Sequence, residues 1–153
     1  FCVGNKNNEN VFASLIYNSK RQEDNHYEYF NSYAIEHSIT FDDIFIITSE
    51  YTQGAAEWTI RAIKNALPEG NVFVVGQNSA GQVCITEDIQ SPYLFTIHPV
   101  AAFVANMDGD YDYYDGIEPD LIINEMNYVQ LYPYGDENEI ILSTILEEIQ
   151  QMY

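Results

Sequence analysis

Basic residues are scarce in this 153-residue chain, and beyond Lys64 they are missing altogether. Lys6, Lys20, Arg21, Arg61 and Lys64 face 24 Asp and Glu, a formal charge of −19, and fifteen of those acids follow Lys64. A nucleic-acid binder needs clustered Lys and Arg to displace counterions, and here the field repels phosphate. An anionic membrane surface is disfavoured for the same reason. Long apolar runs are missing too: none approaches the roughly 18 residues of a membrane span. No charged segment followed by an apolar one, as in a signal peptide, opens the chain at Phe1. Cysteine is limited to Cys2 and Cys84. Two isolated thiols make neither a disulfide framework nor a zinc site; they read as unpaired, with a single bridge as the alternative. Apolar content is not lacking. At 46% hydrophobic and 14% aromatic, the chain can offset the entropy of ordering, which excludes disorder. Its length suits one domain.

No internal repeat or low-complexity tract is present. The run Val11–Tyr17 predicts a strand, and the polar residues 20–29 an exposed loop. Consecutive Ile and Phe over Asp43–Ser49 predict a strand buried on both faces. A helix is expected over Gly54–Leu67, with Ala56, Ile60, Ile63 and Leu67 on one face and Pro68 and Gly70 as the stop. Val72–Val75 predicts a second buried strand. Strand, helix, strand is a βαβ unit, which implies a parallel pair. Shorter strands are expected at Val83–Glu87, Tyr93–Ile97 and Val100–Ala105. An acidic loop follows over Asp108–Asp120. Asp136 and Glu139 have the spacing of a capping box, ahead of a helical stripe of Leu142, Ile145, Leu146 and Ile149.

The most informative segments are Ile47–Ile60 and Val74–Gln82. Each leaves the carboxyl end of a predicted parallel strand, where open α/β sheets build their sites. The helix start at Gly54–Ala56 offers free backbone N–H groups and a positive dipole end, which can stabilise an oxyanion. Small residues there also suit plain helix–strand packing.

These segments resemble the C-terminal processing peptidases, also called tail-specific serine peptidases, and most closely the secreted or lipoprotein members of Bacteroides-type bacteria. The resemblance rests first on Thr48-Ser49-Glu50-Tyr51-Thr52-Gln53-Gly54-Ala55-Ala56-Glu57 and Val74-Val75-Gly76-Gln77-Asn78-Ser79-Ala80-Gly81-Gln82. It continues through His98-Pro99, Asp115-Gly116-Ile117-Glu118-Pro119-Asp120 and Tyr134-Gly135-Asp136-Glu137-Asn138-Glu139, with Ile16-Tyr17-Asn18 and Lys20 early on. Each motif is weak alone; their shared order carries the resemblance across nearly the whole chain.

The resemblance implies an α/β, crotonase-like ββα catalytic core with extra short antiparallel strands. Residues 1–153 would be the C-terminal portion of that catalytic domain, with the upstream part of the fold before Phe1. It also implies a periplasmic, outer-membrane-anchored or secreted location. Its chemistry is a serine–lysine dyad, in which a desolvated lysine acts as base toward the serine hydroxyl. Here the nucleophile position holds Gly54 and the base position Gln82. Glycine has no side chain, and an amide is not a useful proton acceptor at neutral pH. Glu57 is retained at its motif position, and the Ala55 N–H fits one oxyanion donor. The other donor's segment, Asp-Leu-Arg-x-Asn-x-Gly-Gly, is absent from the chain.

Loss of both dyad members points to a homologue without the chemistry, because such groups act as a unit. It would bind extended peptides or a protein C-terminus, and the reading invokes no cofactor or metal. Oligomeric state has no sequence signal. One alternative is an active endopeptidase that uses Ser79, Ser49, Thr52 or His98 as substitutes, or is completed by an upstream segment. Another is a secreted glycan- or protein-binding module, for which Tyr111, Tyr113 and Tyr114 are the best aromatic cluster. Asp108–Asp115 alternates carboxylates as calcium ligands do, yet Tyr113 stands where an EF-hand needs glycine and Pro119 where it needs glutamate. A solvated acidic turn is the reading preferred. His26 and His37 read as surface residues, and Trp58 as core packing beside the cleft.

Overall fold

The computed structural model describes residues 11–29, 41–67, 70–106, 109–111, 114–129 and 131–152. Phe1, Cys2, Lys6, His37, Pro68, Asp108, Asp112 and Tyr113 lie outside the described residues, and with them any Cys2–Cys84 bridge and much of the acidic turn.

The fold is mixed α/β. Strand β1 (Val11–Tyr17) pairs antiparallel with β2 (His26–Tyr29) on one side. Between β1 and β2 lies a short turn of helix over Gln22–Asp24. Strand β3 (Ile44–Thr48) leads into helix α1 (Ala55–Ala66), and β4 (Val72–Gly76) returns parallel to β3, so the expected βαβ unit forms. Three short strands follow: β5 (Cys84–Thr86), β6 (Ile89–Gln90) and β7 (Thr96–Ile97). Strand β8 (Val100–Ala105) lies between β1 and β5, antiparallel to both. Strand β9 (Leu121–Ile122) adds to β4 in parallel, and helix α2 (Ile140–Met152) ends the chain. Among the described residues this makes sheets ordered β2-β1-β8-β5 and β3-β4-β9, with β6-β7 as a separate hairpin.

Alternation along β4 decides which helix packs where. Val74 faces one cluster with Ile60 of α1, Val83 and Ile117, which Ile46 and Trp58 join. Val75 faces another with Ile123, Ile141 and Ile145, which Phe45 and Ile149 join. The three-stranded sheet is thus sandwiched between α1 and α2. Full burial of each such aliphatic side chain contributes roughly 1.5–3 kcal/mol.

Several expectations change. Residues 20–29 are not all loop, since His26–Tyr29 pairs with β1. Strand β3 is not buried on both faces: it is the edge of its sheet among the described residues, and Ile47 is half exposed. Of Tyr93–Ile97, only Thr96–Ile97 is strand; Tyr93 and Leu94 form the exposed turn of the hairpin. The buried positions of α1 are Glu57, Ile60 and Ala62, whereas Ala56 is exposed, because the helix start turns Glu57 toward the loop after β4. In α2, Ile141 and Ile145 are buried and Leu146 is exposed. No capping box forms there. Glu139 itself caps the helix, its Oε1 accepting the Ile141 N–H at 2.9 Å and its Oε2 the Leu142 N–H at 3.0 Å. Asp136 instead accepts the Asn138 backbone and side-chain N–H groups, both at 2.9 Å, which hold its carboxyl below the usual aspartate range. Among the described residues, no helix is long and apolar enough to cross a membrane.

Candidate functional site

The ends of β3 and β4 lie side by side, with Thr48 opposite Gly76. The Thr48 carbonyl accepts the Gln77 N–H at 3.0 Å, and Thr48 Oγ1 donates to the Gln77 carbonyl at 2.8 Å. The chain then turns sharply into α1. Thr52 Oγ1 accepts the Ser49 N–H at 3.0 Å, and the Thr52 carbonyl accepts the Ala80 N–H at 2.8 Å, tying this turn to the loop after β4.

Gly54 sits at the head of α1 with φ 59° and ψ −120°. L side chains rarely adopt that backbone, and a strained strand-to-helix turn of this kind is how some hydrolases present a nucleophile. A Cβ placed on Gly54 would lie 3.2 Å from Gln82 Oε1 and 3.7 Å from its Cδ. The two positions singled out in the sequence therefore abut. Ala55, the first helical residue, is exposed, and by position its N–H has no intrahelical acceptor.

Glu57 holds the two loops together. Its carboxylate is completely buried. Oε1 accepts the Gly81 N–H at 2.7 Å and a short bond from Ser79 Oγ; Oε2 accepts the Gly54 N–H at 3.0 Å and the Gln82 N–H at 2.9 Å. Four donors satisfy both buried oxygens of this carboxylate. Ser79 Oγ also accepts the Ile117 N–H at 2.7 Å. The Asp115–Asp120 turn is thereby docked on the same hub. It packs so tightly that a Cβ on Gly116, whose φ is 91°, would fall 2.1 Å from the Ser79 carbonyl oxygen. Beyond the turn, the Asp120 carboxylate accepts the Val74 N–H at 2.7 Å and pairs with Lys64 Nζ at 3.3 Å.

The other candidates fall elsewhere. Ser79 is buried and commits its hydroxyl to Glu57 and Ile117, so it is not a free nucleophile. Thr52 and Ser49 spend their side-chain oxygens on the turn, Ser49 Oγ accepting the Tyr51 N–H at 3.3 Å. His98 lies exposed on the β6–β7 hairpin, its Nδ1 2.7 Å from Asp88. His26 is exposed and faces Glu28. Trp58 packs against the Ile60 cluster as ordinary core. Tyr111 stacks on Phe103 at 5.5 Å, and Tyr114 is exposed. Among the described residues, no three His, Cys, Asp or Glu are grouped to hold a metal.

Two cavities flank β9 and its continuation. One, of about 280 Å³, is lined by Ile47, Ile123, Glu125, Tyr134 and Ile141 among others; the second, of about 470 Å³, by Asp115, Glu118, Ile122 and Asn124. Gln77 lines both. Tyr134 donates to Glu125 Oε2 at 3.3 Å, and that neighbouring carboxylate pushes the phenol pKa up. The sequence reading missed Ser79's role and both cavities. Ser79 reaches partners 22 and 38 residues away, and no local spacing encodes such contacts.

The chain matches no family model. It matches no curated protein either. Solved structures are similar to it. A Bacteroides fragilis protein designated an S41 protease aligns with 99% of this chain and 39% of its own, at a TM-score of 0.81 and 25% identity. A lipoprotein from Streptococcus agalactiae aligns with 96% of this chain and 47% of its own, at a TM-score of 0.59 and 16% identity. The photosystem II D1 C-terminal processing protease aligns with 80% of this chain and 29% of its own, at a TM-score of 0.51 and 16% identity. The chain thus spans 39% of the length of the Bacteroides fragilis protein. Its mixed α/β fold is similar to that of S41 peptidase structures.

Proposed function

We propose that this chain is a non-catalytic form of a serine-peptidase fold, with a crotonase-like core, that holds extended peptides without cleaving them. One observation carries the reading: Gly54 and Gln82 abut at the mouth of the two parallel strands. A serine hydroxyl needs a base within about 2.6–3.2 Å. The two positions are close enough for that pairing, yet one has no side chain and the other an amide. Ala55 and Glu57 would keep the remnant of the site, as an oxyanion donor and as the anchor of both loops. Similarity to S41 peptidase structures supports the peptidase ancestry. An exported or envelope location is part of the proposal, and the likeness to a lipoprotein agrees with it.

A fluorophosphonate probe tests the loss of chemistry. The expected result is no serine labelling in the native protein; labelling of any serine would refute it. The double variant Gly54→Ser, Gln82→Lys measures how far the decay extends. Recovery of labelling would place the loss in these two positions, and no recovery would extend it to the rest of the site.

A further inference from the structure

The β6–β7 hairpin is a sheet of its own, separate from the other two. From Ile89 to His98 every residue but Ser91 is exposed. Its tip is the three-residue loop Pro92-Tyr93-Leu94, which follows the Gln90–Thr96 pair and Ser91. The loop is held in shape: the Ser91 N–H donates to the Phe95 carbonyl at 2.8 Å, the Leu94 N–H to the Ser91 carbonyl at 3.2 Å, and the Tyr93 N–H to Ser91 Oγ at 3.2 Å. Hairpin loops of this length commonly end on a left-handed residue, a place that glycine takes without strain. Here that residue is Leu94, with φ 67°, the one non-glycine at positive φ among the described residues.

Packing does not account for a leucine there. Leu94 is 100% exposed, Tyr93 is mostly exposed and Phe95 is half exposed. A strained backbone and an apolar side chain in water are each unfavourable, and at Leu94 they coincide. Tyrosine and phenylalanine flank it, and such rings suit the boundary between headgroups and acyl chains. Charge decides which surface the tip can meet. No Asp, Glu, Lys or Arg lies between Asp88 and Asp108, whereas the whole chain carries −19. That charge repels an anionic bilayer and a second copy of the chain; a zwitterionic bilayer has no net charge to repel it.

We propose that the tip of this hairpin docks on a zwitterionic lipid surface. Leu94 enters the acyl boundary, and the Tyr93 and Phe95 rings lie at headgroup level beside it. The contact is peripheral, made by a preformed loop and without any charge. It does not rest on the peptide-binding reading, and an envelope location would bring the tip to such a surface.

Flotation of the whole chain with phosphatidylcholine vesicles tests it. Binding is expected, and phosphatidylserine in the vesicles should weaken it. Leu94→Asn should weaken it about tenfold. Asparagine tolerates the left-handed backbone, so the urea midpoint of this variant should not fall. That separates loss of the contact from loss of the fold. Val129→Asn, at another fully exposed aliphatic residue, should alter binding less than about twofold. In a Tyr93→Trp variant, brominated phosphatidylcholine should quench the new tryptophan, whereas Trp58 of the unaltered protein, packed on the Ile60 cluster, should not respond. Absence of flotation would overturn the proposal, as would equal weakening by the Leu94 and Val129 variants, which would mean unspecific adsorption. Stronger binding to phosphatidylserine would overturn it too. Self-association without vesicle binding, abolished in Leu94→Asn, would assign the tip to a second copy instead.

Discussion

Replacing Glu57 by glutamine exchanges one oxygen for an amine and leaves the side chain's size almost unchanged. Both oxygens of Glu57 are fully used: one by Ser79 Oγ and the Gly81 N–H, the other by the Gly54 and Gln82 N–H groups. An amide carbonyl can serve one of these pairs; its NH2 then confronts donors. Turning the NH2 toward Ser79 and Gly81 sets it against a hydroxyl whose oxygen already holds the Ile117 N–H. The less costly choice turns it toward Gly54 and Gln82, which lie nearer solvent. Hydrogen bonds to a charged group contribute about 1.5–3 kcal/mol each. Two are lost and water partly replaces them, so the expected cost is about 2–4 kcal/mol. That is a large share of the 5–15 kcal/mol typical of a folded domain. Trp58, the single tryptophan, neighbours Glu57 in sequence and reports on this region. With a urea slope of about 2 kcal/mol/M, Glu57→Gln should lower the midpoint of the tryptophan-fluorescence transition by about 1–2 M. Glu57→Ala should lower it further, having no acceptor at all. A shift in Glu57→Gln under about 0.3 M would refute the view that this carboxylate holds the two loops together.

Two further outcomes are expected. Gly116→Ala should cost about 3 kcal/mol or more, through strain at a φ of 91° and collision with the Ser79 carbonyl; calorimetry should show Tm falling by at least about 6 °C, and an unchanged Tm would contradict the packing of this turn. Carbon-detected NMR should place the Asp136 titration below its ordinary 3.8, because the folded state binds its proton more weakly. The associated stabilisation is present above that ordinary value and is lost as pH falls through the folded one. Asn138→Ala should raise the midpoint only part of the way, since the larger cause, the backbone N–H, remains; full restoration would show that the side chain alone set it.

Much of the fold follows from local pattern. Val11–Tyr17 and Val100–Ala105 have the bounds expected of them as strands, and α1 begins and ends within a residue of its expected limits. Dense β-branched and aromatic runs, or a helical period with a stop, decide such elements within themselves. Strands β2 and β9 were not legible, because four polar or two apolar residues become strand only when a neighbour supplies hydrogen bonds. Residue spacing could not show that Ile47 is half exposed, since both-face burial needs a strand on each side and β3 has one on a single side among the described residues.

The absence of any Lys or Arg after Lys64, and the glycine and glutamine where a peptidase of this kind would keep serine and lysine, are properties of composition and position. The sequence alone determines them, and no folding can add a functional group it does not encode. That Gly54 and Gln82 abut, that Glu57 accepts four donors from two loops, and that Gln77 lines both cavities beside β9, only the tertiary structure decides. Each depends on distances between segments tens of residues apart, set by the packing of α1 and α2 on the faces of one sheet.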